Sequence, residues 1–484
     1  MSTMQSIRDE INRLVSGNEI YNDNKPRWKY LLESYLGGQS YTDGNHLNKY
    51  QLETNAEYQL RNQNTPLDNH CASVVSVYNS FLFRQEPYRE FNNLANLPEL
   101  KEFMKDADKD GRSFNNFMKD VATWSSVFGH CFVVMTKPNL GALTRAEDMY
   151  MGARPYINLL TPLAVMDWSW RRSPAGHYTL DYLKYLEDVN GSIQTIKEWT
   201  SETIKTHVVD IDKTEIYGQT EEVNQLGVIP AVICYNKKST MRGLGVSDLA
   251  DIADAQRFIY NLQSELEETI RLDSHPSVVA TPDTILGNGA GSVVQIPNDL
   301  DAGLKPYLLE YSGASVGSIL ESIKHQIEAI DKMANVGAVR ATVTRQMSGV
   351  AIQTEFELLN ARLSEKGDNL ELCEEQLFKL FAAYMNTRYE GYIQYPDSFS
   401  IRDVNDEYSQ LKSARDAAGD PRIQKIIDNR IVELLDEDPA EILTDSDFVP
   451  HTMYDAQGNE YMANTEDDHL KMAAMGYTHE KPQV

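Results

Sequence analysis

Apolar positions in residues 1–246 alternate between two periods. Spacings of three and four predict helices over Ser6–Val15, with Ile7, Ile11, Leu14 and Val15 on one side, and over Leu67–Phe83 and Leu100–Val127. Between and after them lie short stretches rich in β-branched and aromatic residues: HCFVVMTK, PYINLLTP, AVMDWSW, IQTIKEWT, THVVDI and IPAVICYN. Turn residues such as VNGS separate these stretches, which predicts an antiparallel-rich α+β domain.

The pattern lengthens after RGLGVSD. Ser247 is placed to cap a helix through Leu272, with Leu249, Ile252, Ile259, Leu262 and Leu266 at helical spacing. Three short strands (HPSVVATP, GSVVQIP, KPYLLEY) then precede a second helix, Val316–Asn335, striped by Leu320, Ile323, Ile327 and Ile330. Two helices bracketing a small strand module predict an antiparallel helical hairpin with a β cap at its tip. Ser348–Asn386 follows as one helix of roughly 40 residues, some 60 Å long. Its apolar positions Ile352, Phe356, Leu359, Leu363, Leu370, Cys373, Leu377, Leu380 and Tyr384 keep a period of 3.5 that only Lys366 breaks. Gly367 beside it predicts a kink. Asp420-Pro421 opens a last clear helix through Leu435, after which apolar periodicity fades.

Composition narrows the chemistry. A length of 484 residues suggests two to four domains. The longest apolar runs, such as CFVVM, are strand-sized, and the first residues lack the apolar core of a signal peptide, so the protein is expected inside the cell that makes it. Cys71, Cys131, Cys234 and Cys373 are far apart in apolar contexts, which predicts buried reduced thiols rather than disulfides or a zinc site. A net charge of −27 excludes general attraction to nucleic acid. One stretch departs from it. Residues 332–354 carry Lys332, Arg340 and Arg345 and no acid, where proportion would give about three. It is either a surface loop of chance composition or a segment placed to meet phosphate.

Each catalytic motif fails on its context. DADKDG (Asp106–Gly111) opens like an EF-hand loop, but Phe117 stands where the closing bidentate Glu belongs, so a solvated turn between helices is expected and no metal. GNGAG and GLGVS lack the Lys-Ser/Thr of a phosphate loop. GASVG around Ser315 has no long parallel sheet to make it a nucleophile elbow. The histidines show no HExxH spacing. No enzyme and no cofactor are expected.

The order of parts is informative where single motifs are not. An α+β domain leads to VNQLGVIPAVICYNKKSTMRGLGVSDLADIADAQRFIYNLQSELEE, then the β module, the return helix, SGVAIQTEFELLNARLSEKGDN and an acidic tail. This resembles the portal proteins, or head-to-tail connectors, of tailed double-stranded DNA bacteriophages, across essentially the whole chain. The resemblance implies an α+β wing over 1–246, stem helices over 247–274 and 316–335, and a small β-containing clip over 275–315. It implies a tunnel loop over 336–347, a long wing helix over 348–396, and a helical crown over 397–484, where 20 acids face 8 Lys and Arg. It also implies a dodecameric ring at one capsid vertex of the virion, assembled in the host cytoplasm. Such a ring passes DNA non-specifically and binds the terminase large subunit, the major capsid and scaffolding proteins and a tail adaptor. Lys332, Arg340 and Arg345 would then touch DNA. Twelve helices spaced about 10 Å apart leave roughly 28 Å of free bore, enough for a duplex. Twelve copies at −27 each carry −324, which keeps phosphate from sticking to the wall. The rival reading is a capsid or adaptor component that assembles through the long helix without contacting DNA.

Overall fold

The computed structural model describes residues 2–141, 144–274, 277–285, 295–296, 299, 301–309, 314–340, 349–396, 399, 404–419, 421–434, 451–455, 459–463 and 471–477. It divides into two compact units, 1–399 and 400–484.

The first unit opens with helices α1 (Ser2–Val15), α2 (Glu19–Leu36), α3 (Gly38–Asp43), α4 (Asn55–Asn64) and α5 (His70–Leu82). A reciprocal capping box starts α4: Thr54 accepts from the Glu57 N–H while Glu57 accepts from that of Thr54. Then come β1 (Tyr88–Glu90), α6 (Pro98–Lys105), α7 (Phe114–Phe128), β2 (His130–Thr136), α8 (Arg145–Tyr150) and β3 (Tyr156–Leu160). The meander that follows is β4 (Val165–Arg172), β5 (Tyr178–Asn190), β6 (Ile193–Thr200), β7 (Thr203–Asp210) and β8 (Glu215–Val223), and β9 (Ala231–Tyr235) closes the series. These form two antiparallel sheets, ordered β3-β2-β9 and β4-β5-β6-β7-β8. The VNGS turn joins β5 to β6, with Gly191 at φ +62° in the first central position of a two-residue loop.

Helix α9 (Ile252–Ser274) leads into β10 (Ser277–Val279), which pairs antiparallel with β11 (Tyr307–Leu309) before α10 (Ala314–Ala334) returns along α9. The short α11 (Gly337–Arg340), the long α12 (Gly349–Tyr384) and β12 (Tyr392–Gln394), paired with β1, complete the unit. In the second unit α13 (Val404–Ala417) packs on α14 (Pro421–Leu434), and β13 (His451–Tyr454) pairs with β14 (Glu460–Ala463). No helix among the described residues is long and apolar enough to cross a membrane.

Two cores organise the first unit, and α12 belongs to both. Its Leu359 and Leu363 lie with Ile330, Ala334, Val336, Tyr78 and Trp168. Its Leu370, Cys373, Leu377, Phe378 and Phe381 lie with Phe103, Phe114 and Phe117. The apolar seam thus serves two surfaces in turn, and the change falls at Lys366. Helix α12 runs as one continuous helix of 36 residues through Gly367. Gly367 serves a close approach, since a Cβ there would stand 3.2 Å from Tyr395 Cβ.

Several expectations are corrected. The helix expected over Leu100–Val127 is two helices, parted by the Asp106–Ser113 turn. That turn is not simply solvated. Asp108 is buried, accepts from the N–H groups of Asp110 and Arg112, and pairs with Arg112, while Asp106 pairs with Arg154. The first hairpin helix starts at Ile252 rather than at Ser247, whose hydroxyl accepts from Leu249 N–H and donates to Val127 O. Cys234 and Cys373, expected as free thiols, form a disulfide with Cα atoms 5.5 Å apart, because β9 packs on α12. Cys71 and Cys131 are free and buried. Ser315 falls in the first turn of α10.

Candidate functional site: the junction of hairpin, long helix and acid-free segment

The residues that position the acid-free segment converge on one buried carboxylate. Asp248 precedes α9 and is 9% exposed. Its Oδ2 lies 2.5 Å from Lys366 Nζ, and its Oδ1 accepts from Arg362 Nη2 at 3.0 Å and Asn236 Nδ2 at 2.9 Å. Lys366, 6% exposed, also donates to Ser126 Oγ at 2.9 Å and to Asn236. Burial raises the Asp248 pKa, but Lys366 and Arg362 outweigh it and hold the carboxyl below its ordinary value. For Lys366 burial wins and the pKa is lowered. One anion between two cations, with Arg362 reaching solvent, satisfies a charge that would otherwise be very costly inside the protein.

The same cluster fixes the end of α10. Arg362 Nη1 donates to Met333 O at 2.9 Å, and Tyr78 Oη donates to Ala334 O at 2.6 Å. Asn335, at φ +56°, ends the helix in the left-handed region that Asn tolerates. Val336 follows, fully buried.

The backbone leading to α9 is pinned by glycines. A Cβ on Gly245 would lie 1.9 Å from Gly129 O, and one on Gly129, at φ +89°, would lie 2.5 Å from Gly245 O. Gly129 and the Gly245 of GLGVS therefore let two backbones touch, joining the end of α7 to the start of the hairpin. Hairpin helix α9 is also clasped by the first helices. Gln256 accepts from Cys71 N–H at 2.8 Å and donates to Ser34 O at 3.0 Å, and Arg61 donates to Ser264 Oγ at 2.9 Å.

Of the three residues expected to meet phosphate, Lys332 is exposed near the end of α10. Arg340, on α11, has a side chain only 15% exposed, with Nη1 2.9 Å from Asp331 Oδ1 and Nη2 2.7 Å from His70 Nδ1. Burial and the Arg340 charge lower the His70 pKa, which keeps its imidazole neutral and able to accept. Arg345 lies outside the described residues. Asp248, Arg362, Tyr78 and His70 carried no mark in the sequence, and the signal for Lys366 was its break in the seam.

A family model described as Phage portal protein, SPP1 Gp6-like, matches residues 18–410. No curated protein matches this chain. Three solved structures are distantly similar. One is titled the virion of a native gene transfer agent particle, with TM-score 0.42 and 10% identity, covering 74% of this chain and 89% of that one. The neck of an empty gene transfer agent particle, computed with C6 symmetry, gives 0.43 and 9%, covering 81% and 98%. The neck of the native particle, computed with C12 symmetry, gives 0.41 and 10%, covering 85% and 94%. The family match spans most of the chain and takes in both sheets, the hairpin and all of α12, and so the chain belongs to the SPP1 Gp6-like phage portal proteins.

Proposed function

We propose that this portal protein assembles into a twelve-fold ring at one capsid vertex and forms the channel for DNA packaging and ejection. In this reading α9 and α10 are the stem lining the channel, and β10 and β11 belong to a clip that docks the terminase large subunit and later a tail adaptor. The wing comprises residues 1–246 with α12, the crown begins at residue 397, and the outer surface meets capsid and scaffolding proteins. The observation that carries it is the hairpin. One side of α9 and α10 is locked to the rest of the unit through Asp248, Gln256 and Ala334. Phe258, Ile270, Leu320 and Met333 of the two helices are nonetheless at least 40% exposed, apolar side chains available to the next copy in a cyclic assembly. Its role is structural, with ATP turnover left to the separate terminase.

Negative-stain imaging and sedimentation of the purified chain test this. Rings with an axial hole are expected. A monomer at every concentration and salt would sink the reading. The inward engagement of Arg340 favours one variant of it, in which Lys332 and Arg345, rather than the 336–340 base, supply the phosphate contacts.

A further inference from the structure

One groove on the first unit departs from the acidity of the chain. It lies between β4, β5, β9 and α12, with a volume of about 390 Å³. Trp170, Leu180, Ile233 and Leu372 line it, with Lys238 and Arg242 beside them. Among the described residues no Asp or Glu lines it, in a chain that has 72. Leu372 is 57% exposed, and Arg242 is held 3.7 Å over the Tyr178 ring, which positions the cation without neutralising it. Nearby, β4 ends in Arg172, next to Arg171, which is paired with Asp181 of β5. Apolar walls with fixed cations and no acid suit an acidic segment that carries apolar side chains.

The chain has such a segment on the opposite edge of the same sheet. The order β4-β5-β6-β7-β8 puts β4 and β8 at the two edges, about 19 Å apart. β8 contains Glu215, Glu221 and Glu222 and no Lys or Arg. Among the described residues its one strand partner is β7, so its outer row of backbone groups faces away from the sheet, and α1 packs near it as well. Val223 on it is 77% exposed. A ring closes through a heterologous contact, which needs two different surfaces of one chain that complement each other. Edges of opposite charge on one sheet meet that need.

We infer that this groove receives β8 of the neighbouring copy, with Val223 against Trp170 and Leu372, and Glu215 and Glu222 facing Arg242 and Lys238. The inference rests on the ring reading and adds a surface to it, away from the hairpin.

The test uses the full chain and charge exchange. Lys238→Glu with Arg242→Glu, and separately Glu215→Lys with Glu222→Lys, should each lower the ring fraction about tenfold in sedimentation at fixed concentration and low salt. The four changes together should restore most of it. All four side chains are exposed, so circular dichroism and melting should match wild type. As an independent readout, a photocrosslinking residue at position 242 should capture the peptide holding 215–223 of another copy. Rings indifferent to either pair of changes, or a crosslink elsewhere, overturn this contact and leave the ring reading standing. A wild-type chain that never forms rings overturns both.

Discussion

Asp248 sits between two cations from one helix, and the energetics of that arrangement are lopsided. Removing a partner strands a charge in the interior, whereas replacing the whole pair by apolar side chains does not. Asp248→Leu leaves Lys366 buried with no counter-charge and should destabilise the first unit by about 3–5 kcal/mol, and adding Lys366→Met should recover much of that because Arg362 reaches solvent. Denaturant titration reads both, and a single variant within about 1 kcal/mol of wild type would contradict the burial argument. A second carboxylate gives a pH signature. Glu198, 8% exposed at its side chain, accepts from Arg13 at 3.0 Å, Tyr182 at 2.5 Å and His207 at 2.8 Å. Burial raises its pKa, but the Arg13 and Tyr182 bonds outweigh this and bring it down to about 2. A lowered carboxyl pKa stabilises the fold above the unfolded value near 4.3 and loses that contribution as pH falls toward 2. Glu198→Gln should cost at most about 3 kcal/mol at pH 7, and the gap to wild type should close between about pH 4 and pH 2. A gap constant over that window would assign the loss to packing instead.

The elements are held by contacts that tolerate little. Gly245→Ala forces a Cβ to within 1.9 Å of a carbonyl, so it should lower the melting temperature by several degrees and loosen the hairpin from α7. Gly317, in α10 with nothing within 4 Å of its would-be Cβ, is the control, and Gly317→Ala should stabilise by up to about 1 kcal/mol. If both substitutions moved the melt the same way, the backbone contact would not be what pins α9. The Cys234–Cys373 bond ties β9 to α12 across 139 residues of chain. A non-reduced digest should yield the two peptides joined, and reduction should cost roughly 2–4 kcal/mol. Two separate free peptides would remove the link.

At the scale of the proposed ring, Lys332 and Arg340 differ in their surroundings, the first exposed and the second engaged with Asp331 and His70. Arg340→Glu sets a carboxylate beside Asp331 and removes the donor to His70, so it should lower thermal stability. Lys332→Glu with Arg345→Glu should leave melting and ring formation unchanged while reducing DNA packaging or retention in assembled heads. Against a chain charge of −27 these contacts are few, so equilibrium DNA binding should be weak and should fade with salt. Heads of the double variant that fill and hold a genome as wild type does would show the acid-free stretch to be chance composition.

Local pattern alone determined the hairpin helices, the 3.5-period seam of α12, and, as short runs of β-branched and aromatic residues between turns, strands β2, β3, β4, β6, β7 and β9. It missed α2, where Pro26 lies inside the helix and polar residues are spread around it, and β8, whose polar and charged residues do not alternate as a half-buried strand should. The order of parts was also legible, and with it the portal resemblance. The site was only half legible. Lys366 stood out as a break in the seam, but period cannot say whether a lysine there reaches solvent or finds a buried anion. That depended on Asp248, 118 positions away, and on Asn236 and Ser126 from two other segments. The disulfide and the inward turn of Arg340 are of the same kind. Side-chain period follows from how one segment meets water, whereas pairing across more than a hundred residues exists only after the chain has packed, so the tertiary structure alone decided it.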